Sequence, residues 1–155
     1  CDILKGVAAV AIAILIGLIV KADDVQKAIL VEIAGVLVVI GHTFPIFFGF
    51  KGGKGVATAL GVLLITNWKI GLICLIFALL LMAVSKIVSL GSISAAVLFP
   101  VLCVFIKDTY IVGNNNAHFS YIVFGIIMAL IVVFNHRSNI KRLAEGKENK
   151  LSFKR

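Results

Sequence analysis

Two lysines lie among three glycines in FKGGKG, residues 50–55, within a chain that is otherwise mostly apolar. Glycine permits positive φ and close backbone approach, so consecutive N–H groups can point into one concavity that suits a phosphate. A helix beginning near Val56 would present its N-terminal N–H groups to the same anion. The spacing is not that of a P-loop, because the second lysine is followed by glycine rather than by Ser or Thr. We therefore predict a phosphate-binding loop made of Lys51, Gly52, Gly53, Lys54 and Gly55. The alternative is that the glycines only break a helix while the lysines reach lipid phosphates.

Two further polar groups lie close to apolar segments. His42 precedes Pro45 in GHTFP and would either contact a substrate or cap the end of a helix. Ser89 and Ser92 are three residues apart in SKIVSLGS, so on a helix they share a face and could line a site. Serines in membrane helices also bond back to their own backbone, which is the alternative for this pair.

A third cluster follows the last apolar segment. His136, Arg137 and Asn139 supply a base or donor, a cation and an amide within one helical turn. They would bind or orient a substrate, whereas a positively charged helix flank would explain only the arginine. A Ser–His–Asp triad is not supported, because the nearest carboxylates, Glu145 and Glu148, lie further along the tail.

Apolar segments must hold these clusters in place. Hydrophobic residues make up 61% of the 155 residues and charged residues 14%, against roughly 45–50% and 25% in soluble domains, and the mean hydropathy is +1.15. Six apolar segments are visible, at residues 3–20, 28–41, 55–66, 70–85, 87–106 and 119–134. They are continuous rather than alternating, which predicts helices and argues against a barrel. The predicted fold class is all-α, a multi-pass integral membrane helical bundle that forms one domain over residues 1–155.

The lengths of these segments are uneven. A perpendicular span takes roughly 20 residues, so the second and third segments are short. Flanking residues, a thinner bilayer or packing inside the bundle would accommodate them.

Cys74 and Cys103 lie inside apolar segments without metal-ligand spacing, so we expect buried thiols and no metal site.

The charge distribution predicts an orientation. Eleven of the fifteen basic residues fall on one side of the predicted spans and four on the other; the four are Lys21, Lys27, Lys69 and Lys107. The richer side should be cytoplasmic. It carries all three polar clusters and a basic tail, residues 137–155. The net charge of +8 then indicates anionic lipid headgroups of the bilayer and phosphorylated substrates as partners, rather than nucleic acid.

On these residues, the sequence resembles the bacterial acyl-phosphate:glycerol-3-phosphate acyltransferases, the PlsY family of small integral membrane enzymes. The resemblance rests on GHTFPIFFGFKGGKGVAT at 41–58, VSLGSI at 88–93, NHRSNIKRLAEGKEN at 135–149 and DILKG at 2–6, and it spans essentially the whole chain. It implies transfer of a fatty acyl group from acyl phosphate to the 1-hydroxyl of glycerol 3-phosphate, forming lysophosphatidic acid for phospholipid synthesis at the bacterial cytoplasmic membrane. Because the family uses no metal and neither acyl-CoA nor acyl-ACP directly, no cofactor is expected.

The resemblance also implies roles for the three clusters: phosphate binding for Gly52, Gly53 and Lys54, lining of the site for Ser89 and Ser92, and substrate orientation for His136 and Asn139.

Members of the family usually carry an earlier helix and a GSGN…GATN loop ahead of DILKG. This chain begins at Cys1, so we expect a truncated chain that lacks one of the family's helices and is inactive by itself. Lys86 stands where the family usually has Arg, which keeps the charge but loses bidentate phosphate geometry.

Three classes of function remain to be weighed. Acyl phosphate is already activated, so direct attack by the glycerol hydroxyl, with its proton passing to His136 or to a substrate phosphate oxygen, needs no covalent enzyme intermediate. Transporters and channels place polar or broken-helix positions near the bilayer midplane, but residues 11–15, 75–79, 95–98 and 126–130 are apolar. A membrane scaffold would explain the hydrophobicity but not three polar clusters on one side.

Overall fold

The structure is a computed structural model that describes residues 2–46, 49, 52–107 and 117–151. Over these residues it contains seven α-helices and no strand: α1 (Asp2–Ile19), α2 (Asp24–Thr43), α3 (Val56–Thr66), α4 (Trp68–Ser85), α5 (Val88–Phe105), α6 (His118–Asn135) and α7 (Arg137–Ala144). Five of them, α1, α2, α4, α5 and α6, are 18 to 20 residues long and apolar enough to cross a membrane. The predicted all-α, multi-pass membrane bundle is confirmed.

The second apolar segment forms a longer helix than predicted. The Asp23 side chain accepts a hydrogen bond from the Gln26 N–H at 2.8 Å, and the Gln26 side chain accepts one from the Asp23 N–H at 3.0 Å. This capping box starts α2 ahead of the apolar run, and the helix reaches 20 residues. Of the three ways to accommodate a short second segment, the structure shows the first, because flanking polar residues lengthen the helix.

One end of the bundle gathers the predicted polar clusters. The ends of α2 and α6 and the start of α3 meet there, as two hydrogen bonds from Asn135 show. Its Nδ2 donates to Oγ1 of Thr43 at 3.1 Å and to the Lys54 carbonyl at 3.3 Å. α5 begins at the same end, since Ser89 bonds to Glu148, which follows α7. We call this the polar end; it is formed by residues 42–46, 52–55, 85–92 and 135–148.

The third apolar segment remains short. Its 11 residues give a helix of about 16 Å, against a hydrocarbon core of about 30 Å. α3 packs inside the bundle, where Thr58 and Val62 have no exposed surface. An added Cβ at Gly6 of α1 would overlap the Thr58 carbonyl oxygen, and one at Gly61 of α3 would overlap that of Ile3. Small residues at this crossing let the two helices approach closely, which strengthens their van der Waals contact.

An aromatic cluster joins α5 to α6 in the core. The Phe99 ring lies edge-on to Tyr121 and Phe124, with centroid distances of 6.0 and 5.9 Å, and the latter two rings stack at 5.7 Å. Edge-on and offset arrangements are the favourable ones for aromatic quadrupoles. Cys74 and Cys103 are buried and free in the same core, as the sequence predicts.

Candidate active site

Glycines seat the FKGGKG loop against the end of α2. An added Cβ at Gly52 would overlap the His42 carbonyl oxygen and lie 2.6 Å from that of Thr43, and one at Gly53 would lie 2.5 Å from His42 Nε2. Gly55 is the N-cap of α3 and has a φ of +79°, in the left-handed region. Close backbone approach and positive φ therefore both require glycine here, as the predicted phosphate loop assumes.

His42 lies between this loop and α1. Its Nδ1 is 3.6 Å from Oδ1 of Asp2, and the same oxygen accepts from Nζ of Lys5 at 3.2 Å. Its Nε2 faces Gly53. The imidazole thus connects the start of the first helix with the glycine loop.

Asn135 fastens the loop to the end of α6. The Thr43 hydroxyl donates its own proton to the Val39 carbonyl at 2.9 Å, so towards Asn135 it acts as an acceptor. The second bond from Asn135 holds the backbone of Lys54, while Lys54 itself is exposed. The loop backbone is therefore fixed from two helices, and a lysine projects from it.

Glu148 connects the second and third clusters. Its Oε1 accepts hydrogen bonds from Ser89 Oγ at 2.7 Å and from Asn139 Nδ2 at 2.5 Å, and its Oε2 accepts one from Arg142 Nε at 2.7 Å. Hydrogen bonds from Asn139, Arg142 and Ser89 lower the pKa of Glu148 to about 2, so the carboxylate is ionised at neutral pH. Glu148 reaches these clusters from the tail because Gly146, with a φ of +67°, turns the chain back after α7.

His136 is buried at the junction of α6 and α7. It is 1% exposed, and its Nδ1 lies 2.8 Å from the Val132 carbonyl oxygen. A carbonyl oxygen only accepts, so Nδ1 carries a proton and Nε2 of the neutral ring holds a lone pair. Burial lowers the pKa of His136 below its usual value, and the positive charge of Lys54 acts in the same direction. The imidazole is therefore neutral near pH 7.

Asn139 offers an acceptor without a partner. Its Nδ2 bonds to Glu148, but its Oδ1 is buried and accepts no hydrogen bond from the described residues. A buried oxygen of this kind raises the free energy of the fold until a donor reaches it. Within the described part of the chain, an acceptor without a donor therefore lies at the polar end.

The remaining predicted residues lie in different places. Ser92 Oγ donates to the Val88 carbonyl at 3.1 Å, so this serine bonds back to the backbone of its own helix. Ser89 instead bonds to the Glu148 carboxylate. Arg137 is exposed; its guanidinium lies 4.6 Å from the centre of the Phe134 ring and donates to the carbonyl of that residue at 3.2 Å. The structure thus brings Ser89, but not Arg137, into the network. Lys51 lies outside the described residues.

An apolar cavity of about 130 Å³ lies beneath these clusters, between α3, α4, α5 and α6. The lining residue of each helix nearest the polar end is Val56, Met82, Ser92 or Val132, and each lies in or within one helical turn of one of the three clusters. Alanines from all four helices keep the space open: Ala59, Ala78, Ala95, Ala96 and Ala129. Apolar cavities of this size stay dry and admit apolar guests. Anion-binding groups and a slot for hydrocarbon therefore adjoin at one end of the bundle.

Comparison with known proteins assigns the family. The model of the family described as glycerol-3-phosphate acyltransferase matches residues 1–146. The chain belongs to the glycerol-3-phosphate acyltransferase family. A glycerol-3-phosphate acyltransferase of Prochlorococcus marinus (strain MIT 9215) is 42% identical over 120 residues, which make up 77% of this chain and 57% of the relative. One of Thermoanaerobacter sp. (strain X514) is 40% identical over 153 residues, 99% of this chain and 68% of the relative.

A solved structure has the same fold. The crystal structure of PlsY (YgiH), an integral membrane glycerol 3-phosphate acyltransferase, in its glycerol 3-phosphate form, matches with a TM-score of 0.76 and 32% identity over 97% of this chain and 68% of that one. Its lysophosphatidic acid form gives the same TM-score. The chain thus spans 57% to 69% of the length of these glycerol-3-phosphate acyltransferases. The resemblance to the PlsY family is confirmed.

Two residues of this acyltransferase-family site were not among those predicted from the sequence. Asn135 and Glu148 both lie in the NHRSNIKRLAEGKEN motif, but neither was predicted to be a site residue. Asn135 could have been noticed as an amide directly before His136, at the point where the last apolar segment ends. For Glu148 the available signal was Gly146, since a glycine after a helix commonly takes the left-handed conformation that reverses the chain.

Proposed function

We propose that the chain carries the site of an acyl-phosphate:glycerol-3-phosphate acyltransferase. It would move a fatty acyl group from acyl phosphate to the 1-hydroxyl of glycerol 3-phosphate and release lysophosphatidic acid and phosphate. The observation that carries this proposal is the meeting of the glycine loop, the unpaired Asn139 oxygen and the apolar cavity at the polar end. The names of the relatives and the two ligand forms of PlsY support the same acceptor and product.

The phosphate of the acyl donor would bind in the glycine loop. The loop supplies backbone N–H groups and the N-terminus of α3, where partial positive charge favours an anion. Lys54 adds a full positive charge beside them. Since both substrates are anions, Lys86 at the same end would further reduce their repulsion.

The acyl chain of the donor would lie in the apolar cavity. The cavity begins directly below the loop at Val56, so a phosphate in the loop and a chain in the cavity can belong to one molecule. The carbonyl carbon would then lie at the boundary between polar and apolar surroundings. There it could meet a glycerol hydroxyl held by Oδ1 of Asn139.

The reaction needs no covalent enzyme intermediate. The glycerol oxygen attacks the carbonyl carbon, the bond between the acyl carbon and the phosphate oxygen breaks, and the phosphate leaves with the hydroxyl proton. The work of the protein is to hold two anions in the right geometry. His136 is 1% exposed, and its Nδ1 bonds to the Val132 carbonyl. We therefore assign it a positioning role: it fixes the junction of α6 and α7, which places Asn135 and Asn139.

The membrane and its side belong to the same proposal. We place the protein in the bacterial cytoplasmic membrane with the polar end facing the cytoplasm, as a single membrane domain whose basic tail, residues 137–155, lies on that side. The excess of Lys and Arg at this end supports the orientation. Cysteine labelling from either side of intact cells would test it, since a cysteine introduced at Lys147, which is 74% exposed, should react only from the inside.

Acyl transfer in lipid vesicles tests the function. We expect the intact gene product to form labelled lysophosphatidic acid from labelled glycerol 3-phosphate and acyl phosphate, and not when acyl-CoA or acyl-ACP replaces the acyl phosphate. Failure with acyl phosphate would refute the proposal. So would equal product formation from acyl-CoA.

His136→Gln tests the positioning role. We expect kcat to fall because the junction loosens, while the acid limb of the pH profile of kcat/KM keeps its midpoint, since the proton leaves on phosphate. Loss of that limb in the variant would instead make His136 the general base.

A further inference from the structure

We infer that the closed lower end of the apolar cavity selects the length of the acyl chain, and that Phe99 is the residue that sets the limit. This inference rests on the proposed function, because it needs an acyl chain in the cavity. It goes further by naming which donors the site prefers and which side chain makes the choice.

The lower end of the cavity is closed. The deepest lining residue on each helix is buried, and these four residues are Leu63, Cys74, Phe99 and Met128. Beneath them lies packed core, in which Ile70 and Cys103 have no exposed surface. By contrast, Leu79 lines the cavity halfway up α4 and is 55% exposed, so the cavity opens sideways at that level.

The depth of the cavity is limited. From Val56 to Leu63 and from Ser92 to Phe99 the lining covers seven residues, or about 10 Å at the rise of an α-helix. Half of the hydrocarbon core of a bilayer is about 15 Å. A chain that reaches the midplane is therefore longer than the cavity, and its end must turn out past Leu79. A chain that stops at Phe99 fits the cavity without that turn, whereas a longer chain loses torsional freedom where it bends towards the surrounding lipid, so the shorter chain is favoured.

Phe99 is held firmly enough to act as a stop. Its ring lies edge-on to Tyr121 and Phe124, so it cannot swing aside without losing both contacts. Above it the lining includes alanines from all four helices, whose small side chains leave volume for the substrate. Both features can be changed independently: the stop can be shortened, and the space above it can be filled.

The experiment measures kcat/KM of the intact gene product for acyl phosphates of increasing chain length. Phe99→Leu replaces the ring with a smaller side chain, which deepens the cavity and should shift the preference towards longer acyl chains. Ala95→Leu fills the cavity above it and should shift the preference towards shorter ones. One methylene in a hydrophobic pocket changes discrimination by about tenfold or more, so we expect the ratio of long-chain to short-chain kcat/KM to move by at least about that factor. Val97→Leu, on the same helix but 52% exposed and outside the cavity, is the matched control and should keep the original ratio.

The opposite directions of the two shifts separate selection from damage. A variant that is only misfolded loses activity equally at every chain length, and an equal change at every length in Ala95→Leu would overturn the inference. Ala95→Leu adds carbon to the cavity, so it still decides whether the cavity selects chain length if Phe99→Leu yields little folded protein. Phe99→Met, which keeps more of the side-chain volume, then tests the stop itself: an unchanged ratio in that variant would overturn the role of Phe99. If the unmodified protein transfers no acyl group from acyl phosphate, the proposed function itself fails, and this inference with it. Transfer with unchanged ratios overturns the inference alone.

Discussion

Gly52→Ala is the substitution that most sharply separates a built phosphate loop from a simple helix break. A Cβ at this position would overlap the His42 carbonyl oxygen and lie 2.6 Å from the Thr43 carbonyl oxygen, where ordinary contact begins at 3.4 Å. Both atoms belong to the backbone at the end of α2, so no side chain can move to make room. The loop itself must therefore shift.

The size of the effect follows from that distance. The loop must move by at least about 0.8 Å to restore ordinary contact with Thr43, and a misplacement of about 1 Å in a site can lower the rate by about 100-fold. Because the N–H groups of the loop would hold the phosphate, we expect kcat/KM to fall by about 10-fold to 100-fold. Overpacking of this kind also costs about 1–3 kcal/mol of stability.

The assay is acyl transfer in vesicles, with thermal unfolding in detergent measured on the same preparation. Gly41→Ala is the matched control, since it lies near the end of the same helix and its added Cβ would meet nothing within 4 Å. It should keep full activity and stabilise α2 by about 0.5–1 kcal/mol. The reasoning is refuted if Gly52→Ala is as active as Gly41→Ala, because the loop would then not need its position against α2.

Three further predictions concern stability, each measured as thermal unfolding in detergent. Because hydrogen bonds lower the pKa of Glu148 from 4.5 to about 2, its contribution is present above pH 4.5 and is lost as the pH falls towards 2. The difference in melting temperature between the unmodified protein and Glu148→Gln should therefore shrink over that range, and a constant difference would contradict this. Gly61→Ala should lose about 1–3 kcal/mol, because its Cβ would overlap the Ile3 carbonyl; an unchanged melting temperature would count against the close crossing of α1 and α3. Tyr121→Phe should lower the stability by only about 0.5–1.5 kcal/mol, because the tyrosine hydroxyl lies 3.3 Å from Thr66 Oγ1 but Thr66 keeps its bond to a backbone carbonyl. A much larger loss of stability would contradict this.

The helices could be predicted because lipid leaves the backbone few choices. A continuous apolar run must satisfy its own N–H and C=O groups, so it becomes a helix wherever it is long enough. The apolar run of the second segment begins at Ala28, but α2 begins four residues earlier, at Asp24, because the capping box of Asp23 and Gln26 starts the helix there. Local side-chain to backbone bonds, rather than hydropathy, set that boundary.

Part of the site could also be predicted from the sequence, through residue types that are rare beside apolar runs. The glycine loop and His136 stand out because glycine, lysine and histidine are unusual beside apolar runs. The bond between Ser89 and Glu148 joins residues 59 positions apart and depends on how α7 and the turn at Gly146 fold back over α5. The placement of Arg137 against Phe134, away from the network, likewise follows from the rotation of α7. Such contacts depend on the packing of whole helices, which no local pattern in the sequence encodes.

The most direct test of the central claim is a structure of the intact gene product with glycerol 3-phosphate and a non-hydrolysable acyl phosphate analogue bound together. The account predicts two phosphate groups at the polar end, one against the backbone of residues 52–56 and Lys54, with the analogue's chain running down between α3, α4, α5 and α6. It predicts the glycerol hydroxyl within hydrogen-bond distance of Asn139 Oδ1. Phosphates bound at the other end of the bundle, or an analogue whose chain lies outside the cavity, would contradict it.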